Sequence, residues 1–281
     1  MIRYVMTLTC PDEPGIVRAL ADGVVQVDGN IVENAQFSDP LTGAFCVRMG
    51  FETPEADVAV VRQVVAAGVA RFDPVMSLHR ESRRPRVLVM VSKLDHCLVD
   101  LLYRWHLDEL PVELPLIVSN HPDLRPIADR YRIPFAHVPV TPDTKAHAER
   151  RLCDLVAEHQ VDFIVLARYM QVLSDDLCQR LAGRIINIHH SFLPGFKGAR
   201  PYHQAYERGV KLIGATAHFV TAELDEGPII EQDVVRVGHA QRVADLVSLG
   251  RDVERLVLAR AVRLHAEDRV ILTGKRTVIF P

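Results

Sequence analysis

The sequence lacks most of the short signatures that announce a chemistry. There is no GxSxG nucleophile elbow, no HExxH and no Cys-x-x-Cys pair, so serine-hydrolase and zinc chemistry lose their usual framework. The five cysteines, Cys10, Cys46, Cys97, Cys153 and Cys178, are scattered and odd in number. They argue against a disulfide framework and read as small core residues. No apolar run approaches bilayer-spanning length, and the opening MIRYVMTLTCPDEPG has no basic stretch ahead of a long apolar one. The expectation is a cytoplasmic protein with no membrane partner. Charge is nearly balanced, at -3 formally, so no nucleic-acid partner is expected either.

What is present divides the chain in two. At 281 residues it has room for one large domain or two moderate ones. Ile2 to Thr9 reads as a strand, and CPDEPG as a turn leading into a helix whose stripe is Ile16, Val17, Leu20, Ala21, Val24 and Val25. Two strands, 30–37 and 44–51, flank a loop with hairpin chemistry. A helix over 54–72 and a strand over 75–79 complete the order βαββαβ, the ferredoxin-like arrangement. The charged, proline-containing run 79–86 reads as a solvated linker. Strands then alternate with helices from Val87 to Ile188, as expected of an α/β domain with a largely parallel sheet. The expected division is 1–82 and 83–281.

Such sheets place their sites at the carboxyl ends of strands. The first such turn, Ser92 to Cys97, contains no glycine, so a phosphate cannot be cradled there as in a GxGxxG loop. Lys93, Asp95 and His96 in that turn are expected to cap and solvate rather than to touch a substrate. Asn187, His189 and His190 lie at another strand exit. On an extended chain His189 and His190 point to opposite sides, which disfavours a shared metal ion; Ser191 lacks the glycines of a nucleophile elbow. An amide, an imidazole and a carboxylate remain: Asn187 and His189, two apart and facing one way, and Asp225, which a strand pair can deliver to them. The set suits addition of a neutral nucleophile to a carbonyl, with donors on the oxyanion and the carboxylate taking a proton. His190 either orients the water or the Asp225 loop, or fills the opposite face of the strand. Lys197, Arg200, Tyr202 and His203 follow beside the site, each expected to be solvated at the surface. Beyond them, 243–264 reads as a helix pair broken at Gly250, and 270–280 as a closing hairpin.

Three groups of residues carry resemblances. CPDEPGIVRAL and DGNIVE, in the βαββαβ order, resemble the ACT domain. That implies a regulatory module, an amino-acid effector near Asp12, Gly15 and Asn30, and pairing of such domains into a homo-oligomer. On the residues alone, Asp12 caps the helix, Gly15 relieves crowding and Asn30 follows a turn. NIHHSFLP and HFVTAELDEGPII resemble the formyltransferase fold that uses 10-formyltetrahydrofolate. The likeness implies Asn187, His189 and Asp225 as the catalytic group, His218 as support for the carboxylate loop, and Met170, Gln171, Val172 and Leu173 as folate contacts made largely through backbone. With SKLDHCLVDLLYR, KGARPYHQAYERGVKLIGATAHFV and GRDVERLVLARAVRLH, the chain closely resembles the formyltetrahydrofolate deformylases. That implies hydrolysis of the folate's formyl group to formate by direct water attack, with no metal and no cofactor beyond the substrate. A formyltransferase acting on an amine and a non-catalytic folate- and amino-acid-binding regulator are the competing readings.

Overall fold

Alternation of apolar and polar residues shapes the first part of the chain. On β1 (Ile2–Pro11), Tyr4, Met6 and Leu8 turn inward and are fully buried, because successive strand side chains face opposite ways. They meet Ile16, Leu20 and Val24 of α1 (Ile16–Val25) and Val61, Val65 and Val69 of α2 (Val58–Val69) in one core. With β2 (Asn30–Asp39), β3 (Ala44–Thr53) and β4 (Val75–Arg80), the strands form an antiparallel sheet of order β2-β3-β1-β4. This is the ferredoxin-like arrangement, and it fits an ACT-like domain.

The computed structural model describes residues 1–195 and 201–281 and divides into two compact units, Met1–Arg83 with Glu267–Pro281, and Arg84–Ala266. The sequence reading carried the second domain through to 281. The closing segment instead belongs by its contacts to the first unit: Arg48 Nε donates to the Glu267 carbonyl at 3.2 Å, and Ile271 and Phe280 bury with Cys46. In it, β12 (Val270–Thr273) and β13 (Arg276–Ile279) form the expected hairpin.

Within the first unit, two local readings change. Helix α2 begins at Val58 rather than Pro54, where Asp57 caps it by accepting from the Ala59 amide. Asp12 does not cap α1. That position is Gly15, at φ +101° with no side-chain cap, a left-handed backbone that glycine adopts without steric cost.

In the second unit, seven strands follow the order β11-β10-β9-β8-β5-β6-β7. The chain runs β5 (Arg86–Val91), α3 (His96–His106), β6 (Glu113–Ser119), α4 (Arg125–Arg130), β7 (Phe135–His137), α5 (Lys145–Glu158), β8 (Phe163–Leu166), α6 (Asp175–Arg180) and β9 (Ile185–His189). It then continues through α7 (Pro201–Glu207), β10 (Leu212–Phe219), β11 (Ile229–Arg236) and α8 (Val243–Ala266). The five strands β5 to β9 are parallel, and β10 and β11 add antiparallel at one edge. Successive strands build outward from β5 to β7, then the chain returns to place β8 on the other side of β5. The carboxyl ends of β5 and β8 thus flank a topological switch point, where crevices open in such sheets.

The expected helix pair is one continuous helix, α8. Gly250 does not break it. A Cβ there would lie 2.1 Å from the Tyr202 hydroxyl, so the glycine marks a close approach of α7, a tertiary reason that periodicity cannot reveal. No helix among the described residues is long and apolar enough to cross a membrane.

Candidate active site

Register assembles the site. Antiparallel pairing of β9 with β10 sets Asn187 opposite His218 and His189 opposite Thr216, and directly opposed side chains on one face are within contact reach. Asn187 Nδ2 donates to His218 Nε2 at 3.2 Å, while His218 Nδ1 donates to the Phe219 carbonyl at 2.9 Å. That pair of bonds requires a neutral ring with its proton on Nδ1. Burial, the largest influence, lowers the His218 pKa despite the Phe219 carbonyl and the Asp225 charge, in keeping with the neutral form.

Asp225 reaches the same place from the loop between β10 and β11. The loop closes tightly: Phe219 N donates to the Pro228 carbonyl, and a Cβ at Gly227 would come within 1.7 Å of the Phe219 carbonyl oxygen. Only glycine fits such an approach. Asp225 itself is left-handed, at φ +59°, a conformation that short polar residues tolerate best. Its Oδ1 lies 3.2 Å from His189 Nδ1 and 4.0 Å from His218 Nε2. Burial raises the Asp225 pKa, but the bond from His189 and the neighbouring imidazoles outweigh it and hold the carboxyl below its ordinary range. His189 Nε2, on the far side of the ring, is buried with no hydrogen-bond partner among the described residues.

All four side chains line one cavity of about 590 Å³, which also takes in Met170, Gln171, Val172 and Leu173. The arrangement offers a fixed amide donor, an imidazole tied to a carboxylate through Nδ1, and a free Nε2 in a space of small-ligand size.

The sequence model of the family described as Formyl transferase matches residues 85–262. Formyltetrahydrofolate deformylase from Corynebacterium sp. (strain P-1) is 49% identical over 281 residues, covering 99% of this chain and 98% of that protein. The crystal structure of formyltetrahydrofolate deformylase from Burkholderia mallei superposes with a TM-score of 0.96 at 50% identity, covering all of both chains. The chain belongs to the formyltetrahydrofolate deformylase family. A glycinamide ribonucleotide transformylase from Symbiobacterium toebii is similar over 73% of this chain and 98% of its own, with a TM-score of 0.67 and 30% identity.

In this member of the deformylase family, the loop carrying Met170 to Leu173 is pinned at both ends. Met170 N donates to Ser92 Oγ at 2.9 Å, and Ser174 N and Oγ donate to Glu149 at 2.8 and 2.5 Å. The Met170 N–H is therefore engaged with Ser92, while its side chain and that of Val172 are more than half exposed at the cavity. Ser191 is buried and donates to the Gly195 carbonyl at 2.7 Å, so it closes a turn.

His190 departs from the expected alternation. Strand β9 ends at His189 and the chain bends, which brings the two rings to 5.2 Å centroid separation, both lining the cavity. Burial first, then the Arg168 charge, push the His190 pKa down to about 3, against Glu254 and Asp225. It is a neutral imidazole at physiological pH.

Two residues that sequence reasoning did not single out, Glu254 and Arg168, stand behind it with two that it assigned to the surface, His96 and Tyr202. Glu254 on α8 is 1% exposed; its Oε2 accepts from His96 Nε2 at 2.8 Å and pairs with Arg168 Nε at 3.4 Å, and its Oε1 accepts from the Tyr202 hydroxyl at 2.6 Å. Tyr202 and His96 are thus held in the interior cluster and are not surface groups. Asp95 stands at the N-cap of α3 without a side-chain cap bond, and Lys93 is exposed. His203 is exposed at the cavity, and Lys197 and Arg200 lie outside the described residues. The one signal for Glu254 was its place on an apolar stripe, three and four residues from Val257, Leu258 and Gly250.

His96, Cys97 and Glu254 have ligand atoms within 4.8 Å of one another. Arg168 already occupies the carboxylate's coordination space with a fixed positive charge, and burial holds the Cys97 thiol well above its ordinary pKa. The cluster suits an ion-pair network better than a cation, which needs a thiolate and free carboxylate oxygens. In the first unit, Asp12, Gly15 and Asn30 are exposed on the turn before α1, at its N-cap and at the start of β2.

Proposed function

We propose that this chain hydrolyses 10-formyltetrahydrofolate to formate and tetrahydrofolate, the activity implied by the name its relatives carry. The observation that carries the reading is the joint placement of Asn187, His189 and Asp225 on one cavity. Water attacks the formyl carbon and forms a new C–O bond. Asp225, anionic because its neighbours hold its pKa down, takes the water's proton. His189, donating to Asp225 through Nδ1 and to the substrate oxygen through Nε2, acts as imidazolium. The Asn187 amide, oriented by neutral His218, supplies the second donor. Such preorganised donors act on charge that develops only in the transition state. The C–N10 bond then breaks as N10 takes up the proton held by Asp225, which returns to its carboxylate, leaving the free amine and formic acid, which ionises to formate. His190 is a neutral neighbour of the pair that orients the water.

Met170 to Leu173 and the loop bearing Asp225 form the folate walls. No cofactor or metal takes part. The first unit is a regulatory module with an amino-acid site at Asp12, Gly15 and Asn30, through which chains pair into a homo-oligomer in the cytoplasm. The test is formate release from 10-formyltetrahydrofolate by the pure protein with no amine present. Release without an acceptor supports hydrolysis; turnover only on adding an amine would replace it with formyl transfer, and neither would leave a binding protein.

A further inference from the structure

Glu254 makes three contacts, and they reach three parts of the cavity wall. Arg168, two residues past the end of β8, is 8% exposed and left-handed at φ +63°, and leads into the loop Tyr169 to Leu173. Tyr202 stands on α7 with its ring 6.0 Å from His190, which is itself 5.2 Å from His189. His96 opens α3 at the glycine-free turn. The fit is tight on the helix side as well, since Gly250, one turn before Glu254, is the residue that lets Tyr202 in. A buried guanidinium in a strained backbone conformation has to be paired, and among the described residues Glu254 is the carboxylate within ion-pair distance of Arg168, with Oε2 3.4 Å from Nε.

We propose that Glu254 is a positioning residue of the deformylase site: one buried carboxylate that sets the folate loop through Arg168 and the histidine pair through Tyr202. It stands almost fully buried in the cavity wall and acts through Arg168 and Tyr202, and the proposal rests on the hydrolytic reading above. Burial alone would raise the Glu254 carboxyl; the bonds from His96 and Tyr202 and the Arg168 charge outweigh it, so the charge that holds the hub together is present throughout the working range.

The two arms separate kinetically. Tyr202→Phe removes one hydrogen bond on the histidine side and is expected to lower kcat about fivefold with KM unchanged. Arg168→Met acts on the loop side and is expected to raise KM about tenfold with kcat little changed. Glu254→Gln keeps the shape, loses the charge, and is expected to do both. Circular dichroism and thermal melts identify the folded fraction; should Glu254→Gln fail to fold, the two single-arm variants carry the test. Glu254→Gln that lowers only the folded fraction, with kcat and KM of the folded enzyme at wild-type values, would overturn the proposal, as would Tyr202→Phe acting on KM instead of kcat. If the wild type released no formate, the hydrolytic reading would fail instead. Equilibrium binding of tetrahydrofolate then decides the loop arm: weaker binding in Arg168→Met and Glu254→Gln supports it, and unchanged binding overturns it.

Discussion

The two units bury polar side chains in different ways. In the first, Asp39, Thr53 and Arg48 each have a separate task. Asp39 closes a hairpin by accepting from Leu41 N and the Thr42 hydroxyl, Thr53 donates to the Val27 carbonyl, and Arg48 pairs with Glu33. In the second, a set of polar groups contact one another around a shared cavity: Asn187 with His218, His189 with Asp225, and His96, Arg168 and Tyr202 with Glu254. Isolated, satisfied polar groups stabilise a fold. A connected set that leaves His96 Nδ1, Arg168 Nε and His189 Nε2 without a hydrogen-bond partner among the described residues is arranged for something else.

Removing one donor from the connected set gives the largest expected effect. Asn187→Ala should lower turnover about 100- to 1000-fold, about 3–4 kcal/mol of transition-state stabilisation, while folate binding changes little. Steady-state kinetics with a parallel binding titration measures both, and loss of binding alone would move Asn187 from the reaction to the pocket wall. The matching change in the first unit is Arg48→Met. It removes a buried guanidinium held by Glu33 at 2.8 Å and should cost about 2 kcal/mol of stability, read by chemical denaturation, with the specific activity of the folded protein within twofold of wild type. A large loss of activity there would collapse the contrast between the units.

The elements that the sequence made legible are those whose pattern is local. Continuous apolar runs such as Val87–Val91 announced buried parallel strands, and the two-residue spacing of Asn187 and His189 put both on one face. Register then did what the pattern required, setting Asn187 opposite His218 on β10 and Leu166 on β8. What stayed hidden depends on distant contacts. Gly250 reads as a helix breaker until Tyr202 is seen against it, and Tyr202 reads as a surface residue until Glu254 is found beneath it. Glu254, His96 and Arg168 come from three separate parts of the chain, and no spacing rule connects them. The His189–His190 alternation failed for a related reason: a strand's period holds only as far as the strand, and β9 stops at His189.

His190 provides a smaller and continuous test. Its folded pKa of about 3 lies below its ordinary value of 6.5, so between those values the unfolded chain takes up a proton that the folded one refuses. Stability from this group is complete above pH 6.5 and falls as the pH drops toward 3, by up to about 1.4 kcal/mol per pH unit. His190→Gln should flatten that slope in denaturation curves taken across the window. An unchanged slope would mean that the ring is hydrated and not enclosed with Arg168.

The smallest effects compare two helix caps of similar strength. Asp57 caps α2 in the first unit, and Ser174 caps α6 in the second, accepting from Leu177 N while donating to Glu149. Either substitution by alanine should cost about 1 kcal/mol. Their consequences diverge because of what precedes each cap. Before Asp57 lies a turn with no part in the cavity, whereas before Ser174 lies the loop Met170 to Leu173, anchored at its other end by Ser92. Ser174→Ala should therefore raise KM for the folate about threefold at unchanged kcat, and Asp57→Ala should leave both constants alone. If Ser174→Ala lost only stability, the Met170–Ser92 bond alone would be holding the loop. Ser92→Ala would then have to carry the whole KM effect.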